Sequence, residues 1–130
     1  MRLLLDTHAF LWAISDDRRL GKRSRSLILK EASEVWLSHI SIWEIAIKHA
    51  LARADMPLSA AQACQWAEEA GFALLPIALP HLLTLEQLQL HHRDPFDRLL
   101  VAQAISEELT LLSSDGAFQS YGCLLRDARA

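Results

Sequence analysis

Alternation of short apolar runs with longer segments of helical period is the feature that most limits what this 130-residue chain can become. Arg2 to Leu5 is a strand-length apolar run ending at Asp6, and Thr7 to Ser15 follows with Phe10, Leu11 and Ile14 at helical spacing. Glu34 to Ser38, with Val-Trp-Leu at its centre, is a second strand. Ser41 with Glu44 three residues on is then a helix-start signal of the capping-box kind, for a helix running to about Ala52. Pro57 breaks that pattern. Ser59 starts an Ala-rich helix that stops at Gly71, Phe72 to Ile77 is a third strand, and Pro80 opens a Leu-rich helix. After a polar turn at His91-His92-Arg93, Asp94-Pro95 starts a helix through about Glu107. Thr110 to Leu112 is a fourth strand, Ser113 to Gly116 its loop, and Cys123 to Leu125 a shorter fifth. Apolar strands separated by helices predict an α/β fold whose parallel sheet is covered on both faces.

With 52% hydrophobic residues the chain can fill one core, so a single domain over residues 1–130 is expected. An uninterrupted run of only three apolar residues, Leu3 to Leu5, precedes Asp6, too few for a secretory leader, and no run approaches the ~20 residues of a membrane span. A soluble, cytoplasmic protein is therefore expected. Cys64 and Cys123 lie far apart without metal-type spacing and read as reduced, packed thiols.

Ligands of open parallel sheets sit beyond the carboxyl ends of the strands. Asp6 has that address directly, and Asp115 lies three residues past the fourth strand. Glu44 and Asp97 fall in the first turns of two predicted helices, from which they can face the same end. Carboxylates gathered there repel one another unless a cation lies between them, and hard cations such as Mg²⁺ or Mn²⁺ prefer carboxylate oxygen. Each acid has a structural reading as well. Glu44 can complete a capping box with Ser41 or pair with Lys48, Asp94 and Asp6 can cap helices, Asp97 can complement a helix dipole, and Asp115-Gly116 can be turn chemistry. The functional reading rests on the set.

That set has a recognisable order. Leu3-Leu4-Leu5-Asp6-Thr7-His8, Ser41-Ile42-Trp43-Glu44-Ile45-Ala46-Ile47-Lys48, Asp94-Pro95-Phe96-Asp97-Arg98-Leu99-Leu100-Val101-Ala102-Gln103-Ala104 and Leu112-Ser113-Ser114-Asp115-Gly116-Ala117-Phe118 together resemble a PIN domain, and within that family the VapC-type toxins of bacterial toxin–antitoxin pairs. The resemblance implies a three-layer α/β/α fold with a short central parallel sheet of four to five strands. It also implies an Mg²⁺-dependent endoribonuclease with Mn²⁺ as a substitute, in which Asp6, Glu44, Asp97 and Asp115 are catalytic and metal-site acids. Asp94, Thr7 and Ser113 match accessory positions. A VapB-like antitoxin and a homodimer are the implied protein partners, with RNA as substrate. One departure lies at Ala52-Arg53-Ala54-Asp55-Met56-Pro57, where related sequences often carry Gly-Lys-Leu; it bears on substrate or partner contacts rather than on chemistry.

A net charge of −3 argues against nucleic-acid binding until the site acids are set aside. Without Asp6, Glu44, Asp94, Asp97 and Asp115, 11 acidic residues face 13 basic ones. Arg18, Arg19, Lys22, Arg23, Arg25 and Lys30 concentrate in one stretch, read either as one or two helices with a solvated face or as phosphate contacts. Trp12, Trp36, Trp43 and Trp66 fall inside predicted elements and read mainly as core. The six histidines show no ligand spacing and read as polar surface or satisfied interior groups; a place near substrate is the lesser alternative for His8, two residues after Asp6. Rival readings are a catalytically silent PIN-like binding module, a haloacid dehalogenase-like phosphatase, which lacks the second acid two positions after Asp6, and a phospho-receiver, whose acceptor position here is Ser38.

Overall fold

The computed structural model describes residues 1–89 and 94–130, so the turn expected at His91-His92-Arg93 lies outside the described residues. Among the described residues, five strands form one sheet: β1 (Arg2–Leu5), β2 (Glu34–Ser38), β3 (Ala73–Leu75), β4 (Thr110–Ser113) and β5 (Leu125–Asp127). Their order is β3-β2-β1-β4-β5, with every neighbouring pair parallel. The α-helices among the described residues are α1 (Thr7–Ile14), α2 (Lys22–Ser26), α3 (His39–Ala50), α4 (Ala60–Glu69), α5 (Leu79–Gln87) and α6 (Pro95–Ser106). This is the three-layer α/β/α arrangement.

Side chains alternating across the pleat feed two cores. Leu5, Leu37 and Leu112 stand in register and pack with Phe10 and Trp12 of α1 and Ala63 and Ala67 of α4. Leu4 and Leu111 point the other way, onto Leu100, Val101 and Ala104 of α6. Because β1 is covered on both sides, Leu3, Leu4 and Leu5 are all fully buried, which is why the run carries no polar alternation.

Several local expectations are corrected. α3 begins at His39, and its N-cap is Ser38, whose Oγ accepts from the Ile40 amide; Ser41 sits buried inside the first turn and forms no capping box with Glu44. β2 passes straight into α3 with no loop, so one serine ends the strand and caps the helix. The basic stretch makes only the short α2, continued by a π-helical turn at Leu27–Glu31. β5 starts at Leu125 because a 3-10 turn (Gly116–Tyr121) and the left-handed Gly122 intervene. Trp12 is buried and Trp36 half-buried, but Trp43 and Trp66 are 51% and 47% exposed, so half of the tryptophans are not core. The helix at Ser59 holds as expected, with the Ser59/Gln62 capping box at one end and Gly71 at φ +79° just beyond the other.

One buried polar tie joins the layers. Gln103 on α6 accepts from the Ser38 hydroxyl and donates toward the Pro76 carbonyl and His81 Nδ1, and Nδ1 also takes the Ala78 amide. With Nδ1 accepting, the His81 proton is on Nε2, which donates to Glu107 at 2.8 Å. The fully buried imidazole is thus a satisfied interior group. Among the described residues, no helix is long and apolar enough to cross a membrane.

Candidate functional site

The strand order reverses at β1: β2 and β3 extend to one side, while β4 and β5 lie on the other. A crevice opens beyond the carboxyl ends of strands at such a switch point. Here it is a cavity of about 150 Å³ lined by Asp6, Thr7, Glu44, Asp94, Asp97 and Asp115, together with His8, Lys48, Ser114 and Phe118. The structure therefore brings together all four acids named from the sequence, and Asp94 with them. Of the two named hydroxyl residues, Thr7 lines the cavity and Ser113 stands directly behind Asp6.

Asp6 leaves the end of β1 and caps α1, its Oδ1 accepting from the Ala9 amide at 2.7 Å. Its Oδ2 accepts from the Ser113 hydroxyl at 2.6 Å, and that hydroxyl in turn accepts from the Asp115 amide at 3.0 Å. Ser113 so ties the carboxyl ends of β1 and β4 and sets the start of the Asp115 loop. Asp6 is buried, and burial pushes its carboxyl above the ordinary range. The hydrogen bonds from Ser113 and Ala9 and the nearby His8 oppose that rise, whereas Glu44 adds to it.

Glu44 comes from α3, with Oε1 2.7 Å from the Thr7 hydroxyl and Oε2 2.7 Å from Lys48 Nζ. Thr7 Oγ1 also lies 3.0 Å from Ser41 Oγ. A hydroxyl has one proton and a carboxylate only accepts, so Thr7 donates to Glu44 and takes the Ser41 proton. The Glu44–Lys48 pair is largely shielded, 15% and 23% exposed, so it is more than a surface i,i+4 contact. Among the described residues, Lys48 brings a cationic side chain to the cavity, a feature the sequence offered only as a helix-stabilising partner. The signal was present: α3 places position i+4 on the same face as Glu44.

Asp94 caps α6, accepting from the amides of Phe96 and Asp97, while Asp97 sits half-buried in the first turn. Asp115 is exposed and caps the 3-10 turn through the Ala117 amide. The structural readings of Asp6, Asp94 and Asp115 as caps are thus all realised, and the same caps aim these carboxylates at one volume. Among the described residues, no three Asp, Glu, His or Cys side chains already stand at metal-ligand spacing. The donor set itself, hard oxygens around a small cavity with a destabilised buried carboxylate, suits a divalent cation. A roomier recess of about 390 Å³ lies elsewhere, between α1, the π-helical turn and α4; Ile14, Leu29, Trp66 and Phe72 line it, with Arg25 and Glu69 as its charged groups among the described residues.

The sequence matches the PIN domain family over residues 3–122. The chain belongs to the PIN domain family. Solved structures share the fold of this PIN domain at low identity. VapBC2 from Rickettsia felis, bound to a DNA fragment from its promoter, has a TM-score of 0.72 at 15% identity, covering 97% of this chain and 98% of that one. DNA-bound VapBC from Salmonella typhimurium has a TM-score of 0.71 at 15% identity, covering 98% of each chain. FitAcB from Neisseria gonorrhoeae has a TM-score of 0.64 at 20% identity, covering 97% of each. No curated protein matches the sequence significantly.

Proposed function

We propose that this PIN domain is a divalent-metal-dependent endoribonuclease, the VapC-like toxin of a toxin–antitoxin pair. One observation carries the reading: acids from the end of β1, from α3, from the start of α6 and from the loop after β4 all line one small cavity. Likeness in fold to the VapBC and FitAcB structures supports the toxin assignment.

Asp6, Asp97 and Asp115 would hold one or two Mg²⁺ ions, with Mn²⁺ as a substitute. The bound metal supplies a lowered water pKa and a positive charge against the phosphate and the leaving oxygen. Glu44, already held by Thr7 and Lys48, orients the attacking water rather than serving as a principal ligand. Ser113 fixes Asp6, and Asp94 fixes the first turn of α6 from which Asp97 projects. No nucleophilic side chain is required, and the products are a 5′-phosphate and a 3′-hydroxyl.

A VapB-like antitoxin would cover the acidic cavity and place apolar side chains in the recess beside Trp66. The exposed Trp43 and Ile47 of α3 and Leu79, Leu82 and Leu83 of α5 supply a surface for a homodimer. Sequencing RNA ends after brief expression of wild type and Asp97→Asn tests the central claim. Wild-type ends absent from the variant are expected. Identical ends from both proteins would remove Asp97 from the mechanism, and no new ends from wild type would remove the nuclease.

A further inference from the structure

His8, on the rim of the acidic cavity, is exposed, and its ring lies 6.1 Å from that of Trp12 one turn further along α1. Two guanidinium groups sit over the same indole, Arg19 and Arg129, each 5.1 Å from the ring centroid. They are not equivalent. Arg19 is gripped by both oxygens of Asp17, whose carboxyl it holds down at about 2, so its charge is already answered. Arg129 has no acidic side chain paired with it among the described residues, yet it is exposed and held in place.

Its backbone is tied on both sides. The Arg129 amide donates to Asp127, the Gly21 amide to the Ala128 carbonyl, and the Arg23 amide to the Ala130 carbonyl. Gly21 is required for this: a Cβ there would come within 2.1 Å of the Ala130 carbonyl carbon. Lys22 and Arg23 follow directly, and with Arg126 they line a recess of about 500 Å³ in which Glu31 is the acid among the described residues. None of these three has an acidic partner among the described residues. Cationic charge thus begins one helical turn from the acidic cavity and continues across the α2 surface.

We infer that single-stranded RNA leaves the cavity past His8 and crosses the Trp12-backed guanidinium of Arg129, which binds a backbone phosphate, before reaching Lys22 and Arg23. This rests on the nuclease reading and names the path of its substrate. A guanidinium immobilised on an indole has lost its freedom before the phosphate arrives, so less affinity is forfeited on binding.

The test measures binding of a labelled single-stranded RNA to Asp97→Asn protein, against salt, with and without Arg129→Gln. Loss of one phosphate contact lowers the slope of log K against log salt by about 0.7 and weakens binding about fivefold near 0.1 M salt. Arg129→Lys should keep the slope and lose part of the affinity. Arg2→Gln, the same charge change on a group already paired with Glu34 at the opposite end of β1, should alter neither. An unchanged slope and affinity in Arg129→Gln would overturn the path while wild-type RNA cleavage left the nuclease standing. Failure of wild type to cleave any RNA would instead remove the reading on which the path depends.

Discussion

Ser113→Ala isolates the strain of gathering acids at one end of the sheet. The hydroxyl is buried, donates to Asp6 at 2.6 Å and accepts from the Asp115 amide at 3.0 Å. A hydrogen bond to an ionised group contributes about 1.5–3 kcal/mol, against about 1 kcal/mol for a neutral one. Because folding raises the Asp6 pKa, burial costs the fold nothing below the unfolded value near 3.8 and its full penalty above the folded value. Ser113 relieves that penalty, so its removal hurts most where Asp6 is ionised. In metal-free buffer at neutral pH the variant should lose about 2 kcal/mol, which for a chain of this length lowers Tm by roughly 6–10 °C. Near pH 3.8, where the folded-state carboxyl carries a proton, the loss should fall by about half. Thermal melts of both proteins followed by circular dichroism at the two pH values measure the difference. An equal loss at both would show that the Asp6 charge is not what Ser113 stabilises.

Asp6→Asn keeps a capping side chain and removes the buried charge, so in chelator at neutral pH it should melt above wild type while losing Mg²⁺-dependent cleavage; a lower Tm contradicts the burial argument. Lys48→Met removes a positive charge from the cavity, and Mn²⁺ affinity by isothermal titration should rise about tenfold while cleavage falls; unchanged affinity would mean that Lys48 does not compete with metal. Gln103→Leu leaves the Ser38 hydroxyl, the Pro76 carbonyl and His81 without their partner and should cost about 2–3 kcal/mol in urea unfolding, with near-wild-type stability counting against the buried tie.

Local pattern was enough to reveal the layers and the candidate acids. Leu3-Leu4-Leu5 is apolar without alternation because β1 is sandwiched, and Asp6 follows it because a chain leaving a buried strand turns into a helix that needs a cap. Asp94 and Asp115 were legible for the same reason, since capping positions carry short acids whether or not they also face a site, and Asp97 because a first-turn acid complements the helix dipole. The alternation of strand and helix likewise pointed to a parallel sheet, whose crossovers consume the intervening helices. Sequence could not say that Ser38 rather than Ser41 caps α3, because both serines satisfy the local rule and the choice depends on where β2 stops pairing with β1 and β3. Nor could it place Trp43 and Trp66, whose helices present a broad apolar stripe that the neighbouring layers cover only in part. Convergence of Asp6, Glu44, Asp97 and Asp115 is likewise a tertiary result. It arises because β4 pairs with β1 on the side opposite β2, which sets residues more than a hundred positions apart around one cavity. Local chemistry governs which side chains can end an element, whereas strand order governs which of those ends meet.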